Sequence, residues 1–257
     1  MPSLLSIGEL VAHLMRPLAI LLALAFAAKL MRRGLYIYWA VAAYFAASAL
    51  QEAVMFSRYQ YEPVGSVPFV TLKLITAAII AWQMGQRAFA SYPALASFAT
   101  KALRVLFPLC VVVALASYYV DPPMQENRHP MLQLTIAVER AIMAGILLFM
   151  LAVGAFAGWF PVQMKQNSVR LLIGFLVLLT CDWIALLVTN AKQDWTGWMN
   201  VLGVLAQCEA AVYWLITVSL AGETAMAPMT VPWSPQRMSK LTLQLDEIHS
   251  HLARKGF

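Results

Sequence analysis

Charged residues are scarce in this chain. They make up 12% of its 257 residues, about half the share usual in a soluble domain, whereas 61% of residues are hydrophobic and the mean hydropathy is +0.71. That excludes a water-soluble globular fold and implies an integral membrane protein. Histidine is nearly as rare. The four present, His13, His129, His249 and His251, form no HExxH and lie towards span ends or in the tail, which argues against a metallohydrolase or a bis-histidine haem. The three cysteines, Cys110, Cys181 and Cys208, fall in apolar runs without CxxC spacing, so neither a disulfide framework nor a zinc site is expected. WMNVLGVLAQCEAAVYWLITVSL, the last apolar run, has no lysine for a retinal Schiff base. A phosphate-binding glycine loop and a GxSxG elbow are also missing. No period-two alternation supports a β-barrel. Neither a catalytic centre nor a cofactor is therefore expected.

What is present is a series of apolar runs long enough to span hydrocarbon as helices. The runs lie at roughly 9–31, 34–56, 66–86, 100–120, 130–158, 169–190 and 198–221. They predict an all-α seven-helix transmembrane bundle over 1–221, with short connections and antiparallel neighbours. Lys29, Arg32, Arg33, Arg87, Lys101, Arg104, Lys165, Arg170, Arg237, Lys240, Arg254 and Lys255 fall on one side, against Arg58, Arg128 and Lys192 on the other. The positive-inside rule then puts the N-terminus outside and the C-terminus inside. The net charge of +6 records this topology rather than a nucleic-acid partner. Tyr59, Tyr61, Tyr118, Tyr119, Trp195 and Trp198 mark the outer interface, and Tyr36, Tyr38, Trp39 and Trp159 the inner one. Residues 1–15 have no signal-peptide n-region, and Arg16-Pro17 interrupts the first run; a span starting near Glu9 and kinked at Pro17 is the preferred reading, over a segment lying on the outer surface. Ala40, Ala43, Ala47, Gly154 and Gly158 permit close helix approach within the bundle.

LTIAVERAIMAGILLFML, at 134–151, sets Glu139 and Arg140 inside such a run, where ionisable groups are costly. At a rise of about 1.5 Å per residue, Lys73, Glu139, Arg140 and Asp182 lie some 10–15 Å below the outer surface. Glu52 is nearer that surface, Glu209 is near the midplane, and His13 and Arg16 are also in the outer half. Together Glu52, Lys73, Glu139, Arg140, Asp182 and Glu209 predict an outward-facing polar pocket for a small ligand or cation, with Arg16 available as a further counter-charge. The alternative is a buried ion network that only fixes helix register. Glu139 and Arg140 point about 100° apart, so both cannot address one partner squarely.

MAPMTVPWSP, at 226–235, reads as part of an extended linker over 222–235. A cytoplasmic helix follows at 236–257, with Ser234 as N-cap and Pro235 at its first position. Met238, Leu241, Leu245, Ile248 and Leu252 recur at spacings of three and four, as in a coiled-coil seam. This helix is expected to self-associate or dock on a membrane-protein partner, or else to lie on the inner leaflet, with Lys240, Arg254 and Lys255 towards anionic lipid.

SYPALASFATKALRVLFPL (91–109), VERAIMAGILLFML (138–151) and SVRLLIGFLVLL (168–179) resemble stretches of a group of uncharacterised bacterial seven-helix membrane proteins, a similarity extending over 30–220. It implies the architecture and a multi-pass place in a bacterial inner membrane, and carries over no activity or functional residue. The sequence thus leads to a non-enzymatic sensor or signal-transducing protein with an outer pocket and a C-terminal association helix. The alternatives are a structural or accessory subunit of an oligomeric membrane assembly and a small-solute or ion transporter.

Overall fold

In lipid each backbone N–H and C=O must find a partner within its own segment, so long apolar runs fold as helices. The computed structural model describes residues 7–32, 35–57, 67–90, 92–120, 130–160, 164–191, 195–227 and 234–254. Its helices are α1 (Ile7–Arg32), α2 (Trp39–Ser57), α3 (Val67–Ala88), α4 (Pro93–Val120), α5 (Pro130–Trp159), α6 (Gln166–Ala191), α7 (Thr196–Thr217), the single turn α8 (Ala221–Thr224) and α9 (Pro235–Arg254), with a 3-10 turn at Tyr36–Tyr38 leading into α2. Five of them, α1, α3, α5, α6 and α7, are long and apolar enough to cross a membrane. The chain is therefore an all-helical, multi-pass membrane protein. Arg33, Arg58, Tyr59, Tyr61, Arg128, His129, Lys192 and Lys255 lie outside the described residues.

Each of α1 to α7 packs on the next in sequence, and α1 packs on α7, so the long helices close a ring. α3 also touches α5 and α6, which makes it the most central member. Their directions alternate. Phe26 of α1 meets Phe45 of α2, while Arg16 near the start of α1 meets Glu52 near the end of α2. α1 and α7 run the same way, since Gly8 faces Gly197 at one end and Lys29 reaches Leu215 at the other. α1 is continuous through Pro17, whose missing N–H costs one intrahelical bond.

Small residues set the closest approaches. A Cβ on Gly8 would lie 2.6 Å from the Gly197 backbone, and one on Gly174 would lie 2.5 Å from the Trp214 indole. Trp214 is wholly buried. Its ring stacks on Phe26 at 5.6 Å and meets Phe45 and Phe175 at 5.4 and 4.8 Å, while its Nε1 donates to Arg170 O at 3.1 Å. This aromatic layer joins α1, α2, α6 and α7 in the half of the bundle holding the C-terminal end of α7. Gly154 packs on Leu172 of α6, whereas Gly158 has open space beside it.

α7 ends before the apolar run does, and side chains of other helices capture carbonyls at and just beyond its end. Lys29 donates to Leu215 O at 2.5 Å, Arg170 to Thr217 O at 2.5 Å and Asn167 Nδ2 to Ser219 O at 2.7 Å. Cations at a helix C-terminus also oppose its dipole. The segment read as a linker begins with order: α8 follows, and Met226 bridges Lys165 through Gln166 N–Ala225 O and Ala227 N–Met164 O bonds of 3.0 and 2.9 Å.

The Gly174 contact makes a sharp stability contrast. Gly174→Leu should cost on the order of 1–3 kcal/mol by overpacking against Trp214 and lower the thermal unfolding midpoint in detergent, whereas Gly158→Leu, at an open position, should leave it unchanged.

Candidate functional site

Helix α2 presents Tyr44, Ser48 and Glu52 one turn apart, so a single stripe faces the interior. Tyr44 and Ser48 are each 1% exposed, and Glu52 is partly buried. Lys73 of α3 brings its ammonium to 5.8 Å from the Tyr44 ring centroid. Glu139 enters from α5 and Asp182 from α6. The Lys73 ammonium feels the Asp182, Glu139 and Glu52 charges together, and Glu139 in turn feels Lys73 and Asp182. From α1, Arg16 Nε lies 3.1 Å from Glu52 Oε2, and one turn further out His13 stacks on Phe56 at 4.7 Å. Arg16, the expected extra counter-charge, is thus an ion-pair partner of Glu52.

Five helices therefore contribute charge to one interior cluster. Isolated charges in hydrocarbon cost several kcal/mol by any scale; here Arg16 pairs with Glu52, and the carboxylates around Lys73 offset its charge. Asp182 also marks the α7 side, because a Cβ on Gly203 would lie 3.6 Å from Asp182 Oδ1.

Of the six residues expected to line the pocket, Glu52, Lys73, Glu139 and Asp182 come together. Glu209 does not; it is exposed on the outer surface of α7. Helical phase explains this, because Glu209 lies about 240° round the helix from Gly203, which faces Asp182. Gln207, only 7% exposed, is the inward polar residue of that stretch. Arg140 is partly buried on α5. Sequence reasoning missed Tyr44, Ser48 and Gln207. The first two could have been found from their spacing of eight and four residues from Glu52.

A second polar group closes the opposite end. Glu223 of α8 accepts from the Tyr38 hydroxyl and pairs with Lys165 at 2.8 Å. The Arg87 guanidinium lies 4.2 Å over the Tyr38 ring and donates to Ile37 O at 2.5 Å. Between the two polar layers stands the aromatic layer around Trp214. Among the described residues no group of three His, Cys, Asp or Glu side chains is arranged to hold a metal ion.

The predicted seam of α9 is turned onto the chain itself. α9 packs on α4, Leu245 is wholly buried, Leu241 is 7% exposed and Leu252 packs against the main core. His249 meets Tyr92 edge-on at 5.8 Å. Burial and then the Asp246 carboxylate push the Tyr92 phenol above its usual range. Ile248 stays 37% exposed at the edge of the contact, and Leu243 faces outward at 66%. The side chain of Met238 lies outside the described residues.

No protein family matches the chain, and neither a curated protein nor a solved structure shows significant similarity to it.

Leu245→Glu should release α9 from α4, since an unpaired carboxylate cannot be buried at that contact. A spin label at exposed Ser239 should gain mobility while the unfolding midpoint of the helix ring stays near wild type. An immobile label would mean that α9 is not held through Leu245.

Proposed function

We propose that the protein is a non-enzymatic membrane sensor that responds to a small ligand or ion in an outward-facing polar pocket and transmits the response through its C-terminal helix. The pocket is the cluster of Lys73, Glu52, Glu139 and Asp182. In this reading α1 to α7 all cross the membrane, with the N-terminus outside and the C-terminus in the cytoplasm of a bacterial cell. The positive-inside distribution and the ring formed by α2 and α4 with the five apolar spans support that topology.

The observation that carries the reading is the position of α4. It packs on α3 and α5, the helices bearing Lys73 and Glu139, and it is also the helix on which α9 rests. A shift of charge in the outer half that moves α3 or α5 therefore bears on the seat of α9 through a single intervening helix. Coupling of this kind is worth about 1–3 kcal/mol where it has been measured. Released from α4, the seam of Leu241, Leu245, Ile248 and Leu252 would be available to a second copy or a membrane-protein partner.

Transport is less well supported. Trp214 and its three aromatic neighbours fill the section between the charge cluster and the opposite end, so a translocation route would have to pass through packed rings. A purely accessory role leaves the charge cluster with no task beyond helix register.

Asp182→Asn tests the coupling without a ligand in hand. In reconstituted membranes the variant should retain its helical content and change the rate at which protease cleaves between α8 and α9, on the order of 5-fold or more. An unchanged rate with an intact fold would reject transmission to α9.

A further inference from the structure

Two charges of opposite sign face away from the ring. Glu209 is exposed on α7, in line with Leu205, Val212 and Ile216, which are 38, 40 and 77% exposed. Spacings of four, three and four residues put all four on one stripe, with the carboxylate in its middle. Because α7 is an apolar span, that stripe is turned towards lipid hydrocarbon, where an ionised carboxylate is costly. Arg104 is exposed on α4, beside Val105 at 67% and a turn before Leu109 at 53%. Neither Glu209 nor Arg104 takes part in an ion pair among the described residues.

Packing contacts put the two at one depth. Trp214 of α7 lies against Gly174 of α6, and Leu172 of the same helix lies against Gly154 of α5. From Gly154, α5 runs about 13.5 Å to Gly145 at about 1.5 Å per residue, and Gly145 lies against Cys110 of α4. α4 returns about 9 Å from Cys110 to Arg104, while α7 runs about 7.5 Å from Trp214 to Glu209. Arg104 therefore stands about 4.5 Å, and Glu209 about 7.5 Å, from the Trp214 level towards the charge cluster, a difference of less than one helical turn.

Within one molecule the two are kept apart. α4 packs on α3, α5 and α9, and α7 on α1 and α6, so they occupy different sides of the ring. The docked α9 leaves Arg104 exposed.

We propose that these faces are the two halves of an interface between copies of this chain, with Glu209 of one molecule set against Arg104 of the next. Copies inserted the same way share one depth scale, so the match of levels within a chain becomes a match between chains. Pairing removes two costly groups from lipid, and the apolar residues flanking each charge supply the surrounding contact. Arg104 by itself could carry its guanidinium along its stem towards the headgroups; the shorter Glu209 side chain, deeper in an apolar span, has no such route. A symmetric contact of two α7 helices would set carboxylate against carboxylate and leave Arg104 unmatched. The contact joins unlike patches, so it repeats from copy to copy and closes into a ring or continues as a row. The inference needs α4 to stand in the membrane beside the apolar spans α3 and α5, and it is independent of what the outer pocket binds.

Energy transfer between full-length chains in lipid vesicles, labelled with donor or acceptor at the C-terminus, tests this. Wild-type chains should associate. Glu209→Arg or Arg104→Glu alone should weaken association on the order of 10-fold or more, since each sets like charges face to face. The double variant Glu209→Arg/Arg104→Glu should restore it, and so should an equal mixture of the two single variants. Rescue by a second reversal separates loss of the pair from loss of the fold. Wild-type chains that stay single, or association indifferent to both reversals, would overturn the proposal. So would sensitivity to only one reversal, as a symmetric α7 contact or an arginine–headgroup contact would give, or a double variant no better than the single ones.

Discussion

An ammonium ion placed in hydrocarbon is tolerated only where negative charge and hydrogen-bonding groups surround it, and Lys73 is the residue on which that requirement falls. α3 is the central helix of the ring, so the acids that meet its lysine come from different neighbours: Glu52 from α2, Glu139 from α5 and Asp182 from α6. Each acid fixes the rotation of its own helix, because about 100° per residue separates a side chain that points inward from one that points to lipid. Arg16 extends the constraint to α1 through Glu52. Apolar packing alone would hold these helices together with much less preference for one rotation over another, since lipid chains are as apolar as leucine.

The bundle is consequently layered along its length. Charge occupies one half, the Trp214 cage the section beyond it, and the far end is closed by Lys29, Arg170 and Asn167 on the carbonyls ending α7. Those carbonyls, left open at any helix terminus, are reached by side chains of α1 and α6, so the end of α7 is fixed from both sides. α9 then docks beside this end on α4. The contact of α9 with the rest centres on Leu241 and Leu245.

Much of this was legible in the sequence, and the parts that were not share a cause. Apolar run length located the helices, and depth along a helix follows from a rise per residue that is nearly constant. Depth says nothing about rotation. Glu209 has a depth compatible with the cluster yet faces outward, and Gln207 takes the inward position two residues earlier. Ser48 and Tyr44 carry no charge, and only their spacing from Glu52 places them on its stripe. The apolar spacing of α9 showed that something covers Leu241 and Leu245. Which surface covers them depends on the chain's return to α4, and periodicity within one helix holds no record of that. The order in 222–227 depends on partners in distant parts of the sequence, Tyr38, Met164, Lys165 and Gln166.

The central claim, that Lys73 and the surrounding carboxylates compensate one another inside the ring, is tested most directly by a double-mutant cycle on unfolding free energy in detergent. Lys73→Met alone should cost about 3–5 kcal/mol, the usual penalty for leaving buried charge without its partner. Adding Asp182→Asn should recover a large part of that loss. If the two substitutions are each mild and simply additive, the charges do not share an interior site and the account is contradicted.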